Sequence, residues 1–443
     1  MLKYIVAYAA VLLIIGVYDS FKVKSFEDFA VAGKSQGYAP VLLSLMATML
    51  GASATLGVAE RAGAIGFPAF WWLAAGAVGL WLQAALLSQK VRDLNANTLP
   101  DIAGITVGNM GKTITALVIV LAWPGIIAAQ FVAMGQVLTL FTAGVDYPLL
   151  LPGVALAAII YTMVGGQLSV IKTDSIQFMI IGSGLIFCLA YLFWGAGGGD
   201  GAQVWTGIEL LNRDFGPGDL AAQLFIVGGA YFLGPDILSR NLVSKDGATA
   251  KKAARHAGLL LIIFSAVITL IGMWAQPNLN DSTAANPFIY IITNHLPFPL
   301  DLLLAVGLIS ALLSSADTCL VNAASIIESD ILKRHSVNET RGFVAMLGIV
   351  SLIIALYRPD IIALLTAAYS VYVPGIVFPL FFAIWFYKKR RLNKKLWLAA
   401  VAVGGVSGLL SLYPAAPAAL SSLPLAGMAA ALIFSILSVW DGQ

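Results

Sequence analysis

Thirteen long apolar runs follow one another along the chain, at 4–20, 39–59, 67–89, 113–142, 148–164, 171–195, 219–238, 254–275, 300–329, 341–357, 361–387, 396–413 and 423–440. Most approach the ~20 residues that a helix needs to cross a bilayer. Backbone inside lipid must satisfy its own hydrogen bonds, and runs this long do so as helices. Apolar residues make up 60% of the chain and charged residues 11%, against about 25% charged in a soluble domain. Mean hydropathy is +0.90. A soluble core cannot hide this much apolar surface. The two cysteines, Cys188 and Cys319, lie inside apolar runs, which excludes a disulfide scaffold. A net charge of +3 leaves no footprint for nucleic acid. The reading is an all-α polytopic protein of the lipid bilayer, placed in the plasma (inner) membrane, with a shorter surface helix over 285–296.

Alternate loops differ sharply in Lys and Arg. One set carries 21 basic residues, from Lys22 to Lys395, and the other carries Lys3, Arg61, Arg213 and Arg358. Basic loops stay in the cytoplasm, so the N-terminus is expected outside and the C-terminus inside. Lys22 and Lys24 follow the first run, which reads as an uncleaved anchor. The stretch Arg240–Arg255 reads as a solvated basic loop, and no Arg or Lys is expected inside the spans. The glycines of Gly197–Gly201 read as a flexible external loop, and His256, His295 and His335 as loop residues. Gly108-Asn-Met-Gly-Lys112-Thr113 only superficially resembles a phosphate-binding loop, because Thr106 stands where that motif needs glycine and no strand precedes it.

Polar groups at membrane depth are costly unless they face a partner or a path for solute. In the ninth run Ser310, Ser314, Asp317, Thr318, Asn322 and Ser325 recur every three or four residues and form one stripe, with Ser315 beside it. One or two hydroxyls would serve as helix–helix glue, but six polar groups with a carboxylate suit a binding surface. Oxygen donors without His or Cys suit a hard cation, and mostly neutral donors suit a monovalent one. The second run offers the remaining oxygens. Small residues, hydroxyls and glycines around Leu50-Gly51 make unwinding cheap there, and an interrupted helix exposes carbonyls. Asp174 reads either as a helix-start carboxylate or as part of a cation site.

The segment Gly165-Gly166-Gln-Leu-Ser-Val-Ile-Lys-Thr173-Asp174-Ser-Ile-Gln177 resembles the signature of the solute:sodium symporter family. Three further pieces are similar to that family: Ser25-Phe-Glu-Asp-Phe-Ala-Val-Ala-Gly33, Tyr231-Phe-x-x-Pro235-x-x-Leu-x-Arg240, and Ser310-Ala-Leu-Leu-Ser314-Ser315-Ala-Asp317-Thr318. The resemblance implies a LeuT-type fold in one transporter domain, 1–443. Residues 1–37 form the first helix and loop, 38–195 and 219–387 two five-helix repeats of inverted topology, and 396–443 two further helices. It also implies a Na⁺ site of the Ala47, Leu50 and Ala311 carbonyls with the Ser314 and Ser315 hydroxyls. A second cation would sit at Asp174, Ser314, Asp317 and Thr318.

On that resemblance the expected activity is Na⁺-coupled uptake of a small organic solute by alternating access. Met49, Ser53, Ala54, Phe70, Trp71 and Gln130 are the solute-facing candidates of the first repeat, and Tyr231, Phe232 and Tyr369 those of the second. With no cation to receive an anion, a neutral or zwitterionic solute such as an amino acid is favoured over a monocarboxylate, a sugar or sialic acid. Asp236 and Gly234 stand where sugar symporters carry a tyrosine and an asparagine. Proton coupling or an uncoupled carrier is the nearest alternative, with a channel, a solute sensor or an intramembrane enzyme more remote. An enzyme would need a nucleophile–base pair that the sequence does not offer.

Overall fold

Helices account for the regular structure of a computed structural model that describes residues 2–142, 145–195, 208–279, 286–412 and 422–440. Among the described residues there is no strand, only two isolated bridges. The helices are α1 (Leu2–Ser20), α2 (Phe26–Val31), α3 (Tyr38–Met49), α4 (Val58–Ile65), α5 (Trp71–Leu86), α6 (Ser88–Asp93), α7 (Leu99–Val107), α8 (Asn109–Leu138), α9 (Tyr147–Trp194) and α10 (Pro217–Leu233). They continue with α11 (Pro235–Val243), α12 (Gly247–Leu279), α13 (Pro287–Asn294), α14 (Leu300–Ile326), α15 (Val337–Tyr357), α16 (Ile361–Tyr372), α17 (Phe378–Phe386), α18 (Lys394–Ser411) and α19 (Leu423–Trp440).

Among the described residues eleven helical segments are long and apolar enough to cross a membrane, or twelve when the bent pair Tyr38–Met49 and Ser53–Ile65 counts as one span. The sequence reading of thirteen differs because it divides α9 in two. That helix runs 48 residues, about 72 Å at 1.5 Å per residue, against a hydrocarbon core of about 30 Å. It breaks at Gly166 (φ 59°, ψ −168°). A side chain at Gly166 would also run into the Phe29 ring, whose Cδ2 lies 2.6 Å from the Cβ position. The glycine therefore lets α2 pack against the break.

The most buried long helix is α14, with 83% of its apolar window inside the protein. It packs against α9, α8 and α3. Helices in lipid gain no hydrophobic driving force from touching one another, so packing and internal hydrogen bonds hold them. Tyr8 of α1 accepts from the Ser310 hydroxyl at 2.6 Å. Lys172 of α9 pairs with the buried Asp19 of α1 at 2.5 Å.

Two local readings change. The surface helix near 285–296 is α13, and it turns Phe288 and Ile291 into the core while Thr293 and Asn294 face out. His256 lies inside α12 rather than in a loop, with Nδ1 2.6 Å from the Tyr38 hydroxyl. Gly197–Gly201 lies outside the described residues.

Candidate functional site: a broken helix, a buried ion pair and an enclosed cavity

The second span is interrupted where small residues and glycines crowd together. Regular α-helix ends at Met49, a wider π-turn covers Ser53–Gly57, and the two arms are bent by 58°. Two side chains hold the break. Gln130 of α8 accepts from the Ala52 N–H at 2.8 Å. Ser315 of α14 donates to the Thr48 carbonyl at 2.7 Å and to the Ala311 carbonyl at 3.1 Å. Gly51 is required by this close approach, since a Cβ there would collide with the Ser315 hydroxyl and lie 2.8 Å from Gln130 Oε1. Ala47, Leu50, Ala311, Ser314 and Ser315 are all buried around this contact. In this conformation the Ser315 hydroxyl bonds the Thr48 carbonyl, which the sequence reading did not include among the oxygen donors.

One helical turn away lies a group that hydropathy hides. Arg240 is fully buried, which overturns both the expectation of no basic residue inside the spans and the reading of 240–255 as a solvated loop from its first residue. Gly234 is extended and Pro235 restarts the helix, so α10 and α11 run on as one span over 217–243, and Arg240 near its end stays in the core. Asp174 is the reason it can sit there. Arg240 Nη2 donates to Asp174 Oδ2 at 2.8 Å, to Thr48 Oγ1 at 2.7 Å and to Thr318 Oγ1 at 2.7 Å. Nε donates to Ser44 at 3.0 Å and Nη1 to Ser239 at 3.0 Å. Asp174 also accepts from Ser44, and from Ser314 at 2.5 Å. A buried charge needs a partner and full hydrogen bonding, and residues of α3, α9, α11 and α14 supply both.

Asp174 is therefore not a helix-start carboxylate, because it lies in the interior of the second arm of α9. Of the expected second cation group, Asp174, Ser314 and Thr318 belong to the Arg240 network. Asp317 does not join them: it is fully buried and neither carboxyl oxygen has a hydrogen-bond partner.

Beside the break is an enclosed cavity of about 30 Å³, room for about one water. Met49, Ser53, Gln130, Tyr231 and Tyr369 line it, as do Trp123, Asp236 and Cys319. Asp236 is the one charged residue among those lining it. The structure does not bring Ala54, Phe70, Trp71 or Phe232 to its wall. Phe70 stacks on Phe67 with ring centres 5.4 Å apart, and Trp71 donates from its indole to the Leu210 carbonyl at 2.9 Å. Phe232 packs on Phe381 at 5.5 Å, and Ala54 is buried inside the π-turn. A separate cleft of about 240 Å³, lined by Arg61, Trp72, Asp219 and Gln223, also reaches Tyr369. Tyr369 lines both cleft and cavity.

Sequence reasoning missed Arg240, Trp123 and Cys319 as site residues. Trp123 and Cys319 look like ordinary core. Arg240 had a signal, because it closes the Tyr231–Arg240 motif, but a charge after a proline reads as the end of a span. Ser44 and Thr48, four apart on α3, were the other available sign of a polar face.

The model of the sodium:solute symporter family matches residues 29–404. The chain belongs to the sodium:solute symporter family. Relatives are transporters. The sodium/proline symporter of Escherichia coli is 27% identical over 62% of this chain, an alignment that spans 57% of that protein's length. The osmoregulated proline transporter of Bacillus subtilis is 24% identical over 91% of this chain and 87% of its own. The structure of a Na⁺-coupled sialic acid symporter, solved in a substrate-bound outward-open state, superimposes with a TM-score of 0.77 over 99% of this chain and 96% of that one, at 18% identity. This family member therefore has the fold of the LeuT-type transporters.

Proposed function

We propose that this chain is a secondary active symporter, in which Na⁺ moving inward drives uptake of a small organic solute. The observation that carries the reading is the broken α3–α4 segment clamped against Ser315 of α14, with an enclosed cavity on its flank. An interrupted helix near the midplane supplies carbonyls and helix ends to ion and solute. The proposed Na⁺ ligands are the Ala47, Leu50 and Ala311 carbonyls and the Ser314 and Ser315 hydroxyls. The proposed architecture is a repeat over 38–195 and its inverted partner over 219–387, with thirteen spans once the arms of α9 count separately. The basic face is assigned to the cytoplasm and the chain to the plasma (inner) membrane, N-terminus outside. With Arg240 in the core, 20 basic residues rather than 21 support that orientation.

Arg240 bears on stoichiometry. Its guanidinium occupies the carboxylate that a second cation would use, so Asp174 holds a fixed cation and one Na⁺ per cycle is proposed. The unpartnered Asp317 is the remaining place for a proton or a second ion. Asp236 bears on the solute. The cavity wall carries a carboxylate and no cation, and Arg240 is already engaged. That favours a solute with an ammonium group, such as an amino acid, and proline is named for two relatives.

The experiment is uptake into proteoliposomes of a labelled amino-acid panel, first with a Na⁺ gradient alone and then with a pH gradient alone. Accumulation of one member in the first condition supports the proposal. Accumulation only in the second assigns coupling to protons.

A further inference from the structure

Far from the central cavity, a cleft of about 610 Å³ opens on the basic face between the 387–394 segment and the junction of α7 with α8. Lys388, Lys389, Arg390, Arg391 and Lys394 line it, and no lining residue is acidic. None of the five forms an ion pair among the described residues. The opposite wall is the chain at Gly104–Gly108, next to the stretch whose likeness to a phosphate loop the sequence left unused.

Basic loops by themselves only set topology. Here the placement of one residue goes further. Lys394 Nζ lies 3.2 Å from the Cβ position of Gly108. Gly108 is the N-cap of α8, a 30-residue helix with no side-chain cap and no acid in its first turn. Its first N–H groups have no acceptor within the helix, and its macrodipole is positive at that end. Lys394 also opens α18, whose first turn has no acid but whose N–H groups are capped, the Asn393 side chain accepting from Lys395 and Leu396. A cation therefore sits against the uncapped positive end of α8, with four more cations around the same cleft. Lys388 and Lys389 rest on the Tyr387 and Trp385 rings, but the cations repel one another and the α8 end until an anion enters, and uncapped N–H groups with Lys and Arg are what a phosphate oxygen accepts from.

We propose that this cleft binds a phosphate ester, and that the ester is the headgroup of an anionic phospholipid in the leaflet at the basic face. A cleft on that side of a membrane protein meets such headgroups at high local concentration. The site is independent of the transport reading, and its test needs no transport.

The test is thermal unfolding of the purified full chain in neutral detergent, titrated with dioleoyl phosphatidylglycerol, with dioleoyl phosphatidylcholine, or with inorganic phosphate. Phosphatidylglycerol should stabilise the wild type, and phosphatidylcholine should not. Each basic residue near an anionic headgroup contributes about a factor of five. The combined Arg390→Gln, Arg391→Gln, Lys394→Gln variant should therefore need about 100-fold more phosphatidylglycerol. Lys251→Gln, Lys252→Gln, Arg255→Gln removes the same charge elsewhere and should keep the wild-type response. Lys394→Glu brings its own carboxylate to the α8 end, so it should be stabler than wild type without lipid and respond weakly to it. Equal stabilisation by inorganic phosphate would identify a soluble ion instead and overturn the lipid assignment. An equal loss in the two triple variants, or a wild-type response in Lys394→Glu, would overturn the site itself.

Discussion

Removing the charge of Asp174 should cost far more than removing a helix-start carboxylate. In Asp174→Asn the shape stays, but Arg240 keeps a full charge in the core bonded only to hydroxyls and the Asp236 carbonyl, with the Asp317 and Asp236 carboxyls near it but not hydrogen-bonded to it. Breaking a buried pair from one side costs about 3–5 kcal/mol, because the remaining ion is uncompensated. At 1.4 kcal/mol per tenfold, that is roughly two to three and a half orders of magnitude in the folded population. Arg240→Gln leaves Asp174 with Ser44 and Ser314 as donors, so its loss should be smaller. The double variant Asp174→Asn, Arg240→Gln places two neutral amides among the same hydroxyls and should recover at least about 2 kcal/mol of the sum, a coupling within the range for groups in one network. The assay is equilibrium unfolding in mixed micelles for the four members of this cycle. If Asp174→Asn is as stable as wild type, or the two losses simply add, the ion pair is not what holds these four helices together.

Four further outcomes follow from the same geometry. Gly51→Ala forces a methyl into the Ser315 hydroxyl and should abolish Na⁺-dependent stabilisation while leaving helix content by circular dichroism unchanged; an intact Na⁺ response would show that the break tolerates a side chain. Asp236→Asn should weaken binding of an ammonium-bearing solute about 10–100-fold, the worth of about 1.5–3 kcal/mol for a hydrogen bond to a charge, with Na⁺ affinity little changed; equal affinity in a solute titration would remove Asp236 from the site. Initial uptake rates against Na⁺ concentration should give a Hill coefficient near one, and a value near two would mean that Arg240 does not stand in for the second ion. Lys251→Gln with Lys252→Gln should leave uptake within about twofold, since 18 other basic residues still mark the same face; loss of uptake in correctly inserted protein would give these residues a direct role.

Hydropathy and small-residue spacing carried most of the architecture. The Leu50-Gly51 interruption was legible as a cluster of glycines and hydroxyls, which serves close packing or a break, and the polar stripe of α14 was readable because its spacing matches a helix. What the sequence hid was long-range pairing. Arg240 and Asp174 are 66 residues apart, and each alone reads as the charged end of a span. Only the packing of α11 beside α9 makes them partners. Gly166 shows the opposite effect: hydropathy separates two spans there, and the structure joins the arms through a single left-handed residue. The cavity wall was half legible. Tyr231 and Tyr369 were aromatic candidates and line it, whereas Phe70 and Trp71 were chosen on the same ground and pack elsewhere, because aromatic type does not specify direction.

The most direct test of the proposed mechanism is a Na⁺ titration of thermal unfolding at constant ionic strength, with choline as the replacement, for wild type, Ser310→Ala, Ser314→Ala and Ser315→Ala. Na⁺ that binds only the folded state raises the unfolding temperature by mass action. Ser315→Ala is the cleaner change, since Ser314 also serves Asp174. Each of these two should shift the Na⁺ midpoint upward about 10–100-fold, for a lost ligand worth about 1.5–3 kcal/mol. Ser310, bonded to Tyr8 and to the Val306 carbonyl, should keep the wild-type midpoint. Superimposable Na⁺ curves for wild type and Ser315→Ala would contradict the sodium site and the symport reading built on it.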